Sequence, residues 1–338
     1  MVFVTGGTGL LGSHLLVKLT QQHDEITAIY RNKDKIETVE DCFKFYLKDE
    51  GKKHFKKIKW KKCDVLDVPR LEELMEGHTI VYHCAAIVSF ARQDFNKMMQ
   101  INRYGTANMV NIALHLGVEK FCFVSSTAAV GNKDIPEEVD VTEEGKWVLT
   151  DSTSGYSITK YSAEKEVWRG INEGLNAVIV NPSIIFGAGD WDESSLKIFK
   201  TIKKGLKFYP SGSNAFVDAR DVVNIMVELM DKEIFNERFL CIGENASFKS
   251  LFDLIAKELG KKPPQIKLSP ALMGLAWRLS VFWSAISFSK PLITKETTHS
   301  SFSTIKYSNE KIKDAIGYEF YSLEETVKNA IDFERFDD

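Results

Sequence analysis

The stretch Thr5-Gly6-Gly7-Thr8-Gly9-Leu10-Leu11-Gly12 decides how this chain is read. It follows the apolar run Val2-Phe3-Val4 and opens an amphipathic stretch from Leu10 to Gln22, so strand, tight turn and helix start succeed one another directly. Gly6, Gly9 and Gly12 stand where a chain must turn tightly and let a diphosphate approach backbone amides, with the helix N-terminus facing the anion. A strand-to-helix turn can also use glycine for its shape alone, so the weight rests on the order of elements around it.

That order is regular as far as Asn181. Ile26–Tyr30, Ile80–Cys84, Phe121–Ser125 and Val178–Asn181 read as further strands, with helical patterns such as Met98–Leu116 between them. Short apolar strands alternating with helices specify a doubly wound parallel sheet of the α/β class, because strands buried on both faces need crossover helices to cover them. Residues 1–181 are expected to form this dinucleotide-binding part. Beyond Pro182 the alternation is broken by Gly187-Ala188-Gly189-Asp190, Pro210-Ser211-Gly212 and Pro263-Pro264. Residues 182–338 are therefore expected to be a smaller α/β region that mainly holds substrate and returns some segments to the sheet. The lysine-rich segment Lys48–Lys62 reads as a solvated helix and loop. The connection from Lys133 to Ser154, with Trp147 inside it, reads as the rim of a site.

In a doubly wound sheet, ligands bind at the carboxyl ends of the strands, so the residues just past each strand are candidates. Arg31 follows the second strand, where an acid for the adenosine ribose hydroxyls is often placed. A guanidinium pairs bidentately with a 2′-phosphate, so NADP is expected, with NAD possible; an exposed strand-end arginine is the alternative. Asp64 and Val65 would lie beside the adenine, and Cys84-Ala85-Ala86 offers small residues to the diphosphate and ribose. Ordinary strand-end packing is the simpler account of both.

Composition bounds the rest. A chain of 338 residues, 44% of them hydrophobic, can bury a large core. The net charge of -3 gives no global reason to expect nucleic acid or an anionic membrane as partner. Cys42, Cys63, Cys84, Cys122 and Cys241 are scattered, odd in number and without CxxC spacing, which predicts no metal centre, no disulfide framework and a reducing cytoplasm. With Val2-Phe3-Val4 running straight into the glycine cluster, no signal peptide is expected. The longest apolar stretch, Ala271–Phe288, is short and contains Arg278, so a lid or core helix is expected there rather than a membrane span.

Tyr156-Ser157-Ile158-Thr159-Lys160 places a phenol and an ammonium one helical turn apart on one face. A phenol of reference pKa ~10 exchanges protons poorly at neutral pH, and a neighbouring ammonium stabilises its phenolate; bringing it to neutrality takes ~4 kcal/mol. Carbonyl reduction needs such a group. A surface pair has the same spacing, so the companion features matter. Val124-Ser125-Ser126-Thr127 ends the fifth strand and can hold a substrate oxygen beside the tyrosine.

With the glycine loop, the strand-end hydroxyls and Tyr156/Lys160 in this order, the chain resembles the extended short-chain dehydrogenase/reductase superfamily over essentially its whole length. The resemblance implies a Rossmann domain, bound NAD(P), and a triad carried onto Thr127, Tyr156 and Lys160. Thr127 is chosen because Ala128-Ala129-Val130 then fits the family spacing, with Ser126 as the fallback. Asn102 looks like the family's supporting helix asparagine, and Pro182 and Ser183 fall in the run that closes over the cofactor. It also suggests a homodimer through Met98–Leu116 and Tyr156–Glu173.

Within that superfamily the auxiliary groups separate the activities. Sugar-nucleotide dehydratases carry an Asp-Glu pair after the strand-end threonine, where this chain has Ala128 and Ala129. Epimerases grip the substrate diphosphate with an asparagine and an arginine, at the places of Ile184 and Asn214 here. Pro182-Ser183-Ile184-Ile185-Phe186-Gly187 is instead similar to the run in dihydroflavonol-reductase and 3β-hydroxysteroid-dehydrogenase relatives. The expected activity is NADP(H)-dependent reduction of a carbonyl, or oxidation of the matching alcohol, on a largely apolar small molecule. Phe90, Trp147, Trp191 and Phe216 are candidate pocket walls. The alternatives are a sugar-nucleotide epimerase and a non-catalytic NADP-binding regulator.

Overall fold

The computed structural model describes residues 1–131, 136, 139–151, 153–269 and 301–337. The first half alternates as β1 (Val2–Thr5), α1 (Leu10–Gln22), β2 (Ile26–Tyr30), α2 (Lys35–Leu47), α3 (Gly51–Phe55), β3 (Ile58–Lys62), α4 (Val68–Met75), β4 (Ile80–His83), α5 (Phe95–Met98), α6 (Gly105–His115), β5 (Lys120–Val124), α7 (Gly155–Asn172) and β6 (Ala177–Pro182). It continues through β7 (Ile184–Phe186), α8 (Lys197–Lys203), β8 (Phe208–Tyr209), β9 (Ser213–Asp218), α9 (Ala219–Asp231), β10 (Glu237–Cys241), β11 (Glu244–Ser247), α10 (Phe248–Glu258) and β12 (Ile266–Lys267), then the helices Glu310–Ile316 and Leu323–Asp337.

Seven strands form one parallel sheet in the order β10-β6-β5-β4-β1-β2-β3. The period-two alternation of each strand sends one set of side chains to each face. Val2, Val4, Ile26, Ala28, Val178 and Val180 pack under α1, α2 and α9. Phe3, Val81, Phe121, Phe123 and Ile179 pack under α4, α6 and α7. Each large side chain so buried contributes about 1.5–3 kcal/mol, which is why the central strands read clearly as apolar runs.

Two segments differ from expectation. Ile58–Lys62 is an edge strand in register with Ile26–Tyr30, although it falls in the segment expected to be helix and loop. Only Ile58 is buried while Lys59, Lys61 and Lys62 face solvent, because an edge strand covers one side only and lysines there block further pairing. Met98–Leu116 is not one α-helix: Met99–Tyr104 is a π-helical turn between α5 and α6. Such a turn re-aims a side chain within an otherwise continuous helix. The strand β10 lies in the irregular half and pairs beside β6, so the second half returns a segment to the first half's sheet.

The rest of that half forms a three-stranded sheet, β11-β9-β7, and the short pair β12-β8. Phe186, Trp191, Phe199, Phe216 and Leu251 make their own cluster beneath α8, α10 and Leu323–Asp337. Ala271–Phe288 lies outside the described residues, as do parts of the Lys133–Ser154 connection. Among the described residues no helix is long and apolar enough to cross a membrane.

Candidate active site

The strand order reverses between β1 and β4, and the loops leaving their carboxyl ends diverge to opposite faces of the sheet. The glycine loop fills this divide. Gly6 has φ +70°, and a Cβ on it would lie 2.6 Å from the Ala85 nitrogen and 2.7 Å from the Cys84 carbonyl carbon. A Cβ on Gly12 would lie 2.1 Å from the Gly6 oxygen. Both positions therefore admit only glycine. Gly9 donates its N–H to the Gly6 carbonyl at 3.0 Å and is the exposed N-cap of α1.

No side chain caps α1 and no acid stands in its first turn, so its positive end is open to an anion. Thr8 and Leu10 are half-buried beside it, and Leu11 turns into the core at 8% exposure. Past β2 and β3, Arg31 and Asp64 come together at 3.7 Å, both substantially exposed. Val65 is buried, packed where Gly105 leaves room. Cys84 and Ala85 are half-buried and Ala86 is exposed along the tail of β4. On the other side Pro182 ends β6, and the Ser183 hydroxyl is buried without a hydrogen-bond partner. A buried hydroxyl is costly unless something satisfies it, and together with the uncapped helix it fits a dinucleotide lying across this divide.

The tyrosine and lysine expected to handle the proton arrive on α7. Ser154 caps its start, its Oγ accepting the Ser157 N–H at 3.0 Å. Lys160 is 2% exposed, and its ammonium donates to the Val124 carbonyl at 2.7 Å from a position 4.7 Å over the Phe123 ring. Burial pushes this ammonium down to about 8, while the Glu164 carboxylate one turn on opposes the fall. Glu164 is itself buried; it accepts from Ser125 Oγ at 2.6 Å, Asn181 Nδ2 at 2.8 Å and Arg238 Nη1 at 3.0 Å.

Burial pushes the Tyr156 phenol up to about 12, and a hydrogen bond with Ser126 pulls against that rise. Burial is the largest influence on the phenol here, and the Lys160 ammonium is held on the Val124 carbonyl one helical turn on. Of the expected hydroxyls, the structure places Ser126, the fallback, at the Tyr156 phenol, and Thr127 at a different partner. The chain leaves β5 through Ser125 and Ser126 and turns at once into a short 3-10 turn, Thr127–Ala129, so the three hydroxyls take different partners. Ser125 turns to Glu164, Ser126 to Tyr156, and Thr127, 8% exposed, to the hydroxyl of Tyr307. Ser126 also accepts the Ala128 N–H at 3.1 Å, which fixes its rotamer.

Asn102, on the π-helical turn, is buried and clamps the chain after β4: Oδ1 accepts the Ile87 N–H at 2.7 Å and Nδ2 donates to the Ile87 carbonyl at 2.9 Å. Nδ2 also donates to Thr159 Oγ1 at 3.0 Å, and Thr159 donates to the Tyr156 carbonyl at 2.8 Å. Of the expected pocket walls, Phe90 meets Tyr156 edge-on with ring centres 5.9 Å apart. Trp191 and Phe216 are core residues at 3% and 1% exposure. Trp147 stacks on Tyr161 at 4.1 Å and donates to Ser157 Oγ, so it braces α7. His83 and Glu164 escaped the sequence reading; the available signal was a polar residue inside an otherwise apolar strand or helix face. Among the described residues no cluster could hold a metal ion.

An open helix N-terminus, with a tyrosine and a lysine one helical turn apart near the strand ends, is the arrangement found here, and the protein is an enzyme of the extended short-chain dehydrogenase/reductase type. It belongs to the NAD dependent epimerase/dehydratase family, whose model matches residues 2–242. Curated relatives include sterol demethylase protein B of Methylococcus capsulatus, 27% identical over 80% of this chain and 78% of that protein. Cinnamoyl-CoA reductase 1 of Petunia hybrida is 26% identical over 97% and 91% of the two chains. A putative dihydroflavonol 4-reductase of Synechocystis is 24% identical over 97% and 93%. Among solved structures, gox2253 superposes with a TM-score of 0.80 at 26% identity over 99% of this chain and 98% of its own.

Proposed function

We propose that this enzyme uses NADP(H), with NAD(H) as the weaker partner, to reduce a carbonyl on a largely apolar small molecule or to oxidise the matching alcohol. The observation that carries the reading is the Tyr156 phenol with Ser126 at its hydroxyl, on the helix whose next turn buries Lys160. A phenol held near 12 is protonated at neutral pH, the state that donates to a carbonyl oxygen as it becomes an alkoxide. Ser126 would orient that oxygen and Lys160 would supply positive charge beneath it. The glycine loop would hold the diphosphate, Arg31 the 2′-phosphate and Ser183 the nicotinamide end. The cofactor when bound supplies or accepts the hydride.

Phe90, 39% exposed against the tyrosine, offers an apolar wall, and Ala128, Ala129, Ile184 and Asn214 supply neither elimination carboxylates nor a diphosphate grip. Arg220, near Asn214 in sequence, spends its guanidinium on Asp218 at 2.9 and 2.7 Å. These features favour reduction over sugar-nucleotide epimerisation, and the intact tyrosine and lysine favour an enzyme over a cofactor sensor. The reductase relatives point the same way. The proposal includes residues 1–181 as the nucleotide half and 182–338 as chiefly the substrate half. It also includes a cytoplasmic setting, supported by free cysteines, and a homodimer through the outer faces of α6 and α7.

Tyr156→Phe tests the assignment. Turnover of an accepted ketone should fall at least a thousandfold while NADPH still binds; a variant that turns over at the wild-type rate would remove Tyr156 from the mechanism.

A further inference from the structure

His83, the last residue of β4, has 0% exposure and a hydrogen-bond partner on each ring nitrogen. Its Nδ1 lies 2.7 Å from Thr5 Oγ1, at the mouth of the glycine loop, and its Nε2 lies 3.0 Å from Thr106 Oγ1, on α6. The directions of these bonds follow from their neighbours. Thr106 spends its single hydroxyl proton on the Asn102 carbonyl at 2.5 Å, so at Nε2 the ring must donate. Nδ1 is then the acceptor, receiving the Thr5 hydroxyl, and Thr5 Oγ1 in turn accepts the Ala85 N–H at 3.2 Å.

The bonds run in one sense on each side of the ring, and only the neutral imidazole with its proton on Nε2 satisfies every group. A second ring proton would meet the Thr5 hydroxyl proton head-on. Burial and the charge of Lys160 push His83 down to about 3, which keeps the ring neutral. Its plane lies near-parallel to Phe123 at 5.6 Å, and the Lys160 ammonium sits over that same ring.

We propose that His83 is a positioning residue that couples the glycine loop to the catalytic helix through the chain Ala85–Thr5–His83–Thr106–Asn102. One end of the chain fixes the tail of β4, where Gly6 packs against Cys84 and Ala85. From the other, Asn102 reaches through Thr159 to the backbone of Tyr156. The loop that grips the cofactor and the residue that handles the proton are thereby held in one register. The inference rests on the reading of the glycine loop as the cofactor site.

The test is NADPH binding by fluorescence titration of the full chain, measured beside kcat, for Thr106→Val and Thr106→Ser. Thr106 is buried on α6 and is no part of the glycine loop. The coupling predicts that Thr106→Val weakens NADPH binding about tenfold and lowers kcat, that Thr106→Ser restores both, and that Thr5→Val added to Thr106→Val costs no further affinity. Thr106→Ala, read in the same way, serves if valine is not accommodated. Loss of kcat with unchanged NADPH affinity in the folded variants would overturn the coupling alone. A wild-type protein that binds neither NADPH nor NADH would overturn the cofactor reading and the coupling with it.

Discussion

Ser126 and Thr127 are neighbours, and either hydroxyl satisfies the spacing of the motif. What separates them is which way each points as the chain leaves the sheet: Ser126 meets the phenol and Thr127 meets Tyr307. Sequence shows that a hydroxyl stands at the strand end but not which of three successive residues faces the site, because that depends on the last paired residue of β5. For the same reason Tyr156, Lys160 and Asn102 could be chosen from spacing, while the clamp of Asn102 on Ile87 and the carboxylate of Glu164 behind Lys160 could not. Ser126→Ala should lower kcat about a hundredfold, as loss of one oriented hydroxyl at a developing oxyanion does. Thr127→Val should change kcat less than about threefold, since its partner is a core tyrosine. Steady-state rates of the two variants decide between them, and the reverse ranking would restore Thr127.

At the scale of elements, the glycine loop was the most legible part of the chain because backbone sterics leave no other residue for it. Gly6 and Gly12 are required by the turn itself, whereas Gly9 is different: a Cβ there would meet only the Gly6 oxygen, at 3.5 Å. Gly9→Ala should therefore fold with an unchanged melting temperature and yet bind the dinucleotide about tenfold more weakly, because the methyl group enters the space before the helix N-terminus. Equal affinity for the cofactor would place the diphosphate elsewhere. The edge strand β3 and the π-helical turn were less legible. Lysines on an edge look like a solvated loop, and one extra residue in a helical turn leaves no mark on hydrophobic periodicity long enough to read.

Across the whole molecule, buried polar junctions tie separated segments together. His14 on α1 donates through Nδ1 to the Leu10 carbonyl at 2.7 Å, and its Nε2 accepts from the Tyr46 hydroxyl of α2 at 3.0 Å. Asn329 of the C-terminal helix donates to that same hydroxyl at 2.7 Å. Burial pushes His14 down to about 4, as it does His83 to about 3. An unfolded histidine takes up its proton near pH 6.5, so each residue's contribution is fully present above pH 6.5. It is lost as the pH falls toward 4 for His14 and toward 3 for His83, on the order of 3 kcal/mol for His14 alone. The urea midpoint should accordingly drop between pH 6.5 and 4, and His14→Gln should shallow that slope. A variant as pH-sensitive as the wild type would remove His14 as a source.

The outcome that matters most to the account is where the hydride ends. The wild type and Tyr156→Phe would be mixed in single turnover with NADPH deuterated at the nicotinamide C4 and a panel of aromatic and alicyclic ketones, with product analysed by mass spectrometry. The account predicts deuterium on the carbinol carbon of a released alcohol with the wild type, stoichiometric with NADPH consumed, and none with Tyr156→Phe. Contradiction would come from a protein that consumes no NADPH against any ketone, but retains tightly bound NAD through repeated cycles and inverts a sugar-nucleotide carbon with no net change in cofactor.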